Sequence, residues 1–108
     1  MTMSSMNCSR NDVVLLPIPF SDLTSRKVRP AIVVGKRRSD VFVVPISSQL
    51  ANTDWQLQEW AAAGLNVPCG VKAQVATVEA QRVIKIVGKL QSGDVETLDL
   101  RLRARLEL

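Results

Sequence analysis

Two apolar segments rich in β-branched residues, PAIVVGK at 30–36 and VFVVPI at 41–46, constrain the fold more than any other feature of this chain. Valine and isoleucine favour extended structure. Only RRSD separates the two segments, and so short a polar link between two such runs is typical of a hairpin turn. Strands that carry apolar residues at successive positions are covered on both faces. The sequence therefore predicts a β-hairpin that is buried on both sides.

Other segments predict further strands around this hairpin. DVVLLPIPF at 12–20 favours a strand, although Pro17 and Pro19 each lack a backbone donor and place it at an edge or before a bend. Residues 55–58, 71–78 and 82–90 also have strand character. Residues 21–29 predict a polar loop, and EWAAAG predicts one or two helical turns that stop at Gly64. We expect five to seven strands.

The C-terminal stretch carries conflicting signals. From Leu98 to Leu108 apolar residues alternate with polar ones, which is a strand pattern. Ser92 as a cap, Asp94 in a first turn, strong helix formers and an Asp99–Arg103 pair at i,i+4 spacing favour a helix. We predict a helix from about residue 93 to 107. Many short strands followed by one helix indicate a mainly β (β+α) fold, a small barrel or sandwich closed by the helix.

Length and composition predict one domain, at 11–108, behind a flexible polar tail at 1–10. The chain has 108 residues, of which 46% are apolar, and this is enough for a core without metal or disulfide staples. The first ten residues lack the basic start and apolar run of a secretory signal, and nothing later approaches the length of a membrane span. Cys8 and Cys69 are far apart and the chain has no histidine. We expect a reduced, cytoplasmic protein with no metal site and no cofactor.

The charge distribution suggests an acidic partner. The net charge is +4, and six basic residues without an intervening acid fall within 26–38, namely Arg26, Lys27, Arg29, Lys36, Arg37 and Arg38. Such clusters are found in nucleic-acid-binding proteins, and they also occur as ordinary solvated surface. Charge alone leaves both interpretations open.

Few side chains in this sequence can take part in catalysis or bind an anion. Without histidine or a glycine-rich phosphate loop, there remain an arginine at the mouth of a strand, Arg29, and a hydroxyl cluster at the exit of the next, Ser47 and Ser48. If the two strands form a hairpin, both features lie at the end opposite the RRSD turn and within reach of each other. Arginine stays protonated and offers a planar fork for phosphate. The sequence predicts an anion-binding site at this end.

A series of segments then resembles one family. DVVLLPIPFSDL, RPAIVV, VPISSQ, WAAAGL with VPCGVKAQVATVE, and IVGKL before a leucine-rich end are similar, in order and spacing, to the MazF/PemK toxins of type II toxin-antitoxin systems. The resemblance implies an SH3-like or CcdB-like barrel and a homodimer. It also implies metal-independent, sequence-selective cleavage of single-stranded RNA, leaving a 2′,3′-cyclic phosphate and a 5′-hydroxyl, and inhibition by an acidic antitoxin.

Carried over by position, the family's strand-opening arginine falls on Arg29 and its threonine falls on Ser47, so these two are the candidate catalytic residues. The candidate substrate-binding residues are Lys27, Ser48, Gln49 and Lys72. Gln49 is equally consistent with a structural role, Ser47 and Ser48 with turn hydroxyls, and Lys72 with a solvated strand lysine. Trp55 and Trp60 can stack on unpaired bases, but packing in the core is favoured for both.

The chain departs from the family pattern at three positions. Asn11 stands where relatives often have glycine, Asp22 is the only acid of a shortened first loop, and Ala73 replaces a carboxylate. No general base can be named as a result. Two alternatives follow: a non-enzymatic, CcdB-like toxin acting on gyrase, against which the ending RLEL counts, and a catalytically weak RNA- or antitoxin-binding member of the same fold.

Overall fold

The predicted hairpin is formed by strands β2 (Val28–Arg37) and β3 (Asp40–Ser47). They belong to a computed structural model that describes residues 7–17 and 27–106 of the chain. Arg37 pairs with Asp40, which leaves a two-residue turn with φ of +56° at Arg38. Ile32 and Val33 are adjacent, point to opposite faces, and are both fully buried. Burial on both sides of the hairpin is confirmed.

Together with short 3-10 turns at Leu50–Asn52 and Ala80–Arg82, five more strands and one α-helix complete the described part of the fold. They are β1 (Asp12–Pro17), β4 (Trp55–Gln56), β5 (Gly70–Val71), β6 (Ala76–Glu79), β7 (Lys85–Lys89) and α1 (Ser92–Leu106). The strands form one antiparallel sheet in the order β4-β5-β3-β2-β1-β7, and β6 pairs with the first half of β3. The mainly β architecture with a C-terminal helix is the predicted one.

Three predicted strands are shorter than their sequences suggest, and one of them, expected over 82–90, forms only β7 at Lys85–Lys89. The strand expected over 71–78 is interrupted between β5 and β6, where the amide of Ala73 donates to the Asp54 carboxylate at 2.8 Å instead of to a strand. Only the first two residues of the expected strand 55–58 pair as β4. EWAAAG forms one turn, in which the Ala63 amide bonds to the Glu59 carbonyl at 3.1 Å, and it stops at Gly64 as predicted.

The sheet is covered on both faces by two apolar clusters. One contains Val13, Ile32 and Val44 and is closed by α1 through Leu98, with Val95 and Leu102 packed against it. The other is built around Val14, Val33 and Val43 and includes Cys8. Trp55 is buried in the first cluster and Trp60 packs against it, so both aromatic rings contribute to the core as favoured.

The start of α1 is attached to the sheet by a buried carboxylate. Asp94 is 1% exposed, and its two oxygens each accept a backbone N–H, from Gln58 and Glu59, at 2.9 Å. Ser92 is already helical, because the first intrahelical bond runs from the Val95 amide to the Gln91 carbonyl. Ser92 is therefore not the cap that its type suggests, and Asp94 links the helix to the segment after β4.

Two glycines bring that same segment against β7. Gly64 has φ of +98°, and a Cβ there would collide with the Val87 carbonyl oxygen. A Cβ on Gly88 would collide with the Ala63 carbonyl oxygen. Only glycine at both positions allows this close backbone approach, which sets the position of the loop that follows Gly64.

Residues before Asn11 also contact the domain. Cys8 is 2% exposed, and the Lys36 ammonium donates to its carbonyl at 2.9 Å. Arg10 pairs with Asp99 at 2.8 Å, so Asp99 does not form the predicted pair with Arg103. The expectation of a flexible tail over 1–10 stays a prediction for its first six residues, which lie outside the described part. No helix in the described ranges is long and apolar enough to cross a membrane.

Candidate functional site

A cleft opens where β3 leaves its partner β2. The pairing of these strands extends to Ala31 and Pro45, and β3 then pairs with β5 through Ile46 and Ser47. Pro45 has no N–H to donate to β2, and its carbonyl accepts the Lys72 amide at 2.9 Å. The two strands diverge at this end for that reason, and a cavity of about 380 Å³ lies between them and the loop after Gly64.

Arg29 and Ser47, the two predicted catalytic residues, both line this cavity. Arg29 is exposed and lies within β2, paired with Leu16 of β1. The sequence places it at the end of a polar loop, and this was wrong because β2 begins at Val28, two residues earlier than expected. A strand holds the arginine backbone more firmly than a loop does. Asp22, the only acid of the first loop, lies outside the described residues.

The hydroxyl cluster forms a compact turn at the exit of β3. The Ser47 Oγ accepts the Gln49 amide at 3.0 Å, which leaves the hydroxyl proton available to a ligand. The Gln49 side-chain oxygen, Oε1, accepts a hydrogen bond from the Asn52 side-chain amide at 3.0 Å. The side-chain NH2 group of Gln49 can therefore still donate to a ligand. Ser48 and Gln49 also line the cavity. The structural and the ligand-binding interpretations of Ser47 and Gln49 are therefore compatible.

The predicted basic residues are not all brought together. Neither Lys27 nor Lys72 lines the cavity, although Lys27 precedes β2 and Lys72 follows β5. The run of basic residues over 26–38 is divided by the length of β2, since the eight residue steps from Arg29 to Arg37 span roughly 26 Å. Among the described residues, the basic side chains therefore do not form one surface patch, and Arg29 is the one that lines the cavity.

The opposite wall comes from the segment between Gly64 and β5. Leu65, Asn66, Val67 and Cys69 line it. The Cys69 thiol is 4% exposed and contacts the Val67 carbonyl at 3.2 Å, and burial raises its pKa above the ordinary value. It is a neutral thiol at physiological pH. No local signal separates these residues from an ordinary loop, because the contact of Gly64 with β7 brings them to the cleft.

The described residues contain no group of three or more His, Cys, Asp or Glu side chains that could hold a metal ion. The polar groups at the cleft are instead an arginine, two hydroxyls and two amides, which suit the oxygens of an anion and the edge of a base. The fold and this cleft together define a small β-barrel-like domain with an arginine and two hydroxyls at the mouth of its cleft.

Comparison with protein families identifies the group to which this domain belongs. Residues 9–106 match the model of the PemK-like, MazF-like toxins of type II toxin-antitoxin systems, and the chain belongs to that family. Because the match covers nearly the whole chain, the resemblance stated from the segments RPAIVV and VPISSQ is confirmed. No curated protein matches this sequence significantly.

Solved structures show the same fold at low sequence identity. The Mycobacterium tuberculosis toxin MazF-mt6 is 17% identical with a TM-score of 0.73, and the match covers 90% of this chain and 97% of that one. An endoribonuclease in complex with its cognate antitoxin, from a mycobacterial species, is 15% identical with a TM-score of 0.70, over 95% and 97% of the two chains. At these identities the likeness concerns the fold.

Proposed function

We propose that this protein is a metal-independent, sequence-selective endoribonuclease toxin that cleaves single-stranded RNA, with Arg29 and Ser47 as its catalytic residues. The observation that carries the proposal is the convergence of these two side chains, from β2 and β3, on one cleft. Family membership supports a toxin, and a mycobacterial protein of the same fold is described as an endoribonuclease.

The chemistry follows from the groups present. Attack of a ribose 2′-hydroxyl on the adjacent phosphorus forms a phosphorane with an additional negative charge, and expulsion of the 5′-oxygen leaves a 2′,3′-cyclic phosphate and a 5′-hydroxyl. The Arg29 guanidinium stabilises that charge, since it is permanently protonated and its donors are fixed in a plane. The Ser47 hydroxyl donates a hydrogen bond to a nonbridging phosphate oxygen. Its proton is directed there because Oγ already accepts a hydrogen bond from the backbone amide of Gln49. Arginine is too weak a base to take the 2′-proton, so this proton passes to a water molecule, and the departing 5′-oxygen takes a proton from water to become the 5′-hydroxyl.

The same proposal specifies the remaining contacts and partners. Ser48 and Gln49 bind the nucleotides beside the scissile phosphate, whereas Lys27 and Lys72 contact the backbone farther along the RNA. An acidic antitoxin and a second copy of the chain are the protein partners, and the cytoplasm is the location. A solved complex of a similar toxin with its cognate antitoxin supports the first partner.

Mapping of cleavage products tests the proposal. Purified protein, freed of antitoxin, is incubated with long single-stranded RNA in EDTA, and the ends of the fragments are identified. We expect discrete cuts with cyclic phosphate ends. Arg29→Ala should lower the cleavage rate by about 10² to 10³, the loss typical of one transition-state donor.

Arg37→Ala is the matched control, because it removes the same charge from the far end of the same strand. We expect it to cleave like the wild type. Intact RNA with the wild type, or equal activity of Arg29→Ala and Arg37→Ala, would refute the proposal. Inhibition of DNA supercoiling without RNA cleavage would favour a gyrase poison, and RNA binding without cleavage would favour a catalytically weak binding protein.

A further inference from the structure

A second groove lies between α1 and the segment that enters β4. It has a volume of about 280 Å³ and is lined by Asp54, Trp55 and Ala73 on the sheet side, and by Arg101, Ala104 and Arg105 on the helix. None of these residues lines the cleft that contains Arg29. The volume is near the lower bound for ligand pockets, so it suits one flat group rather than an extended molecule.

The charged groups that line this groove are two arginines and one aspartate. Arg101 and Arg105 lie one helical turn apart on the same face of α1. Asp54 uses Oδ2 to accept the Ala73 amide at 2.8 Å, which leaves Oδ1 available. Within residues 7–17 and 27–106, no ion pair joins Asp54 to either arginine. Among the described residues, a carboxylate and two guanidinium groups thus line one small space with no direct ion pair between the carboxylate and either guanidinium.

Arg101 also contacts an aromatic ring. Its guanidinium carbon lies 5.7 Å from the centre of the Trp55 ring, within the range of a cation–π interaction. Trp55 is buried in the core, whereas Arg101 is exposed. The other face of a guanidinium held in this way is a surface on which an unpaired base can stack.

We propose that this groove is a second RNA subsite that binds one guanine base. Guanine combines two neighbouring N–H donors, at N1 and N2, with two acceptors, O6 and N7. Asp54 accepts from the donor edge, Arg105 donates to the acceptor edge, and the base stacks on Arg101. Adenine and the pyrimidines do not offer both edges. The assignment rests on the proposed function, since it takes RNA as the substrate.

The affinity of the Arg29→Ala variant for RNA tests this subsite separately from cleavage, because this variant is expected to leave the RNA probe largely uncut. The probes are labelled ten-nucleotide RNAs of A and U that carry a single guanosine, scanned through every position. We expect one position at which guanosine raises affinity by about tenfold or more, as for a well-placed base contact. Inosine, which lacks the N2 amine, should lose most of that gain at the same position.

Two variants and a matched control locate the effect. Asp54→Asn keeps an acceptor for the Ala73 amide but places a donor toward the base, so the preference for guanosine should disappear. Arg105→Ala should weaken binding of the guanosine probe by a similar factor. Arg103→Ala removes the same charge from the opposite side of the helix and should bind as the parent does. Circular dichroism melting checks that each variant is folded.

Several outcomes would overturn the inference. One is equal binding by the Asp54→Asn, Arg105→Ala and Arg103→Ala variants. Another is a change of oligomeric state in sedimentation for the first two variants, which would identify the groove as an interface between copies. A third is that these two variants lose binding to an acidic peptide while their binding to RNA is unchanged. The proposed function fails separately, if the wild-type chain does not cleave RNA.

Discussion

Asn11 occupies the left-handed backbone region immediately before β1, with φ of +75°. Glycine adopts this conformation without cost and asparagine tolerates it, whereas a side chain without a local polar group is strained. The substitution of asparagine for the family's glycine, noted from the sequence, therefore keeps the backbone requirement. The Asn11 Oδ1 is buried and has no hydrogen-bond partner among the described residues.

The first prediction concerns this position. Asn11→Gly should leave the free energy of unfolding unchanged or raise it, because it relieves the φ strain and removes a buried oxygen. Asn11→Ala should lower it by about 1 kcal/mol, the typical cost of the left-handed region for such a residue. Urea unfolding of both variants measures the difference. Equal stability of the two variants would show that φ at residue 11 does not matter.

The second prediction concerns Ser47. Ser47→Ala removes the hydroxyl that is proposed to donate to a nonbridging oxygen, and RNA cleavage should fall by about 10². Ser47→Thr keeps the hydroxyl and should retain most of the rate. The initial rate of cleavage of a defined oligonucleotide is the measurement. Ser48→Ala is the neighbouring control, and a larger loss there than at Ser47 would exchange the assigned roles.

At the scale of elements, α1 depends on one carboxylate for its position against the sheet. Asp94 satisfies two backbone N–H groups of another segment, and its own side chain is buried. The sequence placed Asp94 correctly in the first turn of a helix, where the dipole favours an acid. Its second role depends on residues 58 and 59, about 35 positions earlier, and no local pattern reveals it.

The third prediction follows from these two hydrogen bonds. Asp94→Ala leaves two amides without their acceptor and should lower the free energy of unfolding by roughly 2–4 kcal/mol. Asp94→Asn retains one acceptor and should cost less. Glu96→Ala, at an exposed position of the same turn, is the control and should change stability by less than about 0.5 kcal/mol. Chemical denaturation with a helix signal gives these values, and a loss at Glu96 equal to that at Asp94 would contradict the interpretation.

The well-predicted strands differ from the poorly predicted ones in how much of their length is apolar. Long apolar runs such as 30–36 and 41–46 form β2 and β3 because they are buried whatever their exact partners are. Segments 55–58 and 71–78 have weaker patterns, and long-range bonds decide where they end. The Ala73 amide bonds to Asp54 and interrupts the second of them. Tertiary contacts of this kind override local propensity.

At the scale of the whole molecule, both cysteines are buried free thiols. Burial raises the pKa of each, and for Cys8 the charge of Asp12 adds to the increase while Lys36 opposes it. A raised pKa in the folded state means that the native chain holds the thiol proton more tightly than the unfolded chain. The resulting stability is complete below the unfolded pKa and is lost as the pH rises toward the folded one.

The fourth prediction follows from the raised pKa of the two thiols in the folded state. The free energy of unfolding should fall as the pH rises above roughly 8.5, the usual pKa of an exposed thiol. The chain has no tyrosine, so no phenol titrates in this pH range beside the thiols. A double variant, Cys8→Ala with Cys69→Ala, should show a flatter profile from about pH 8.5 to 10. Parallel profiles for the variant and the wild type would contradict the prediction.

The sequence by itself predicted the hairpin and the C-terminal helix, because burial of successive β-branched residues and helix propensity are local properties. Arg29 and Ser47 are proposed from their residue types, from the hairpin and from the family resemblance. The tertiary structure decided the shape of the cleft that both residues line and which basic residues lie away from it. Divergence of β2 and β3 at Pro45 opens the cleft, and the length of β2 separates Arg29 from Arg37. The packing of α1 on the sheet brings Arg101 and Arg105 to Asp54. Such contacts join residues distant in the chain, and no local periodicity encodes them.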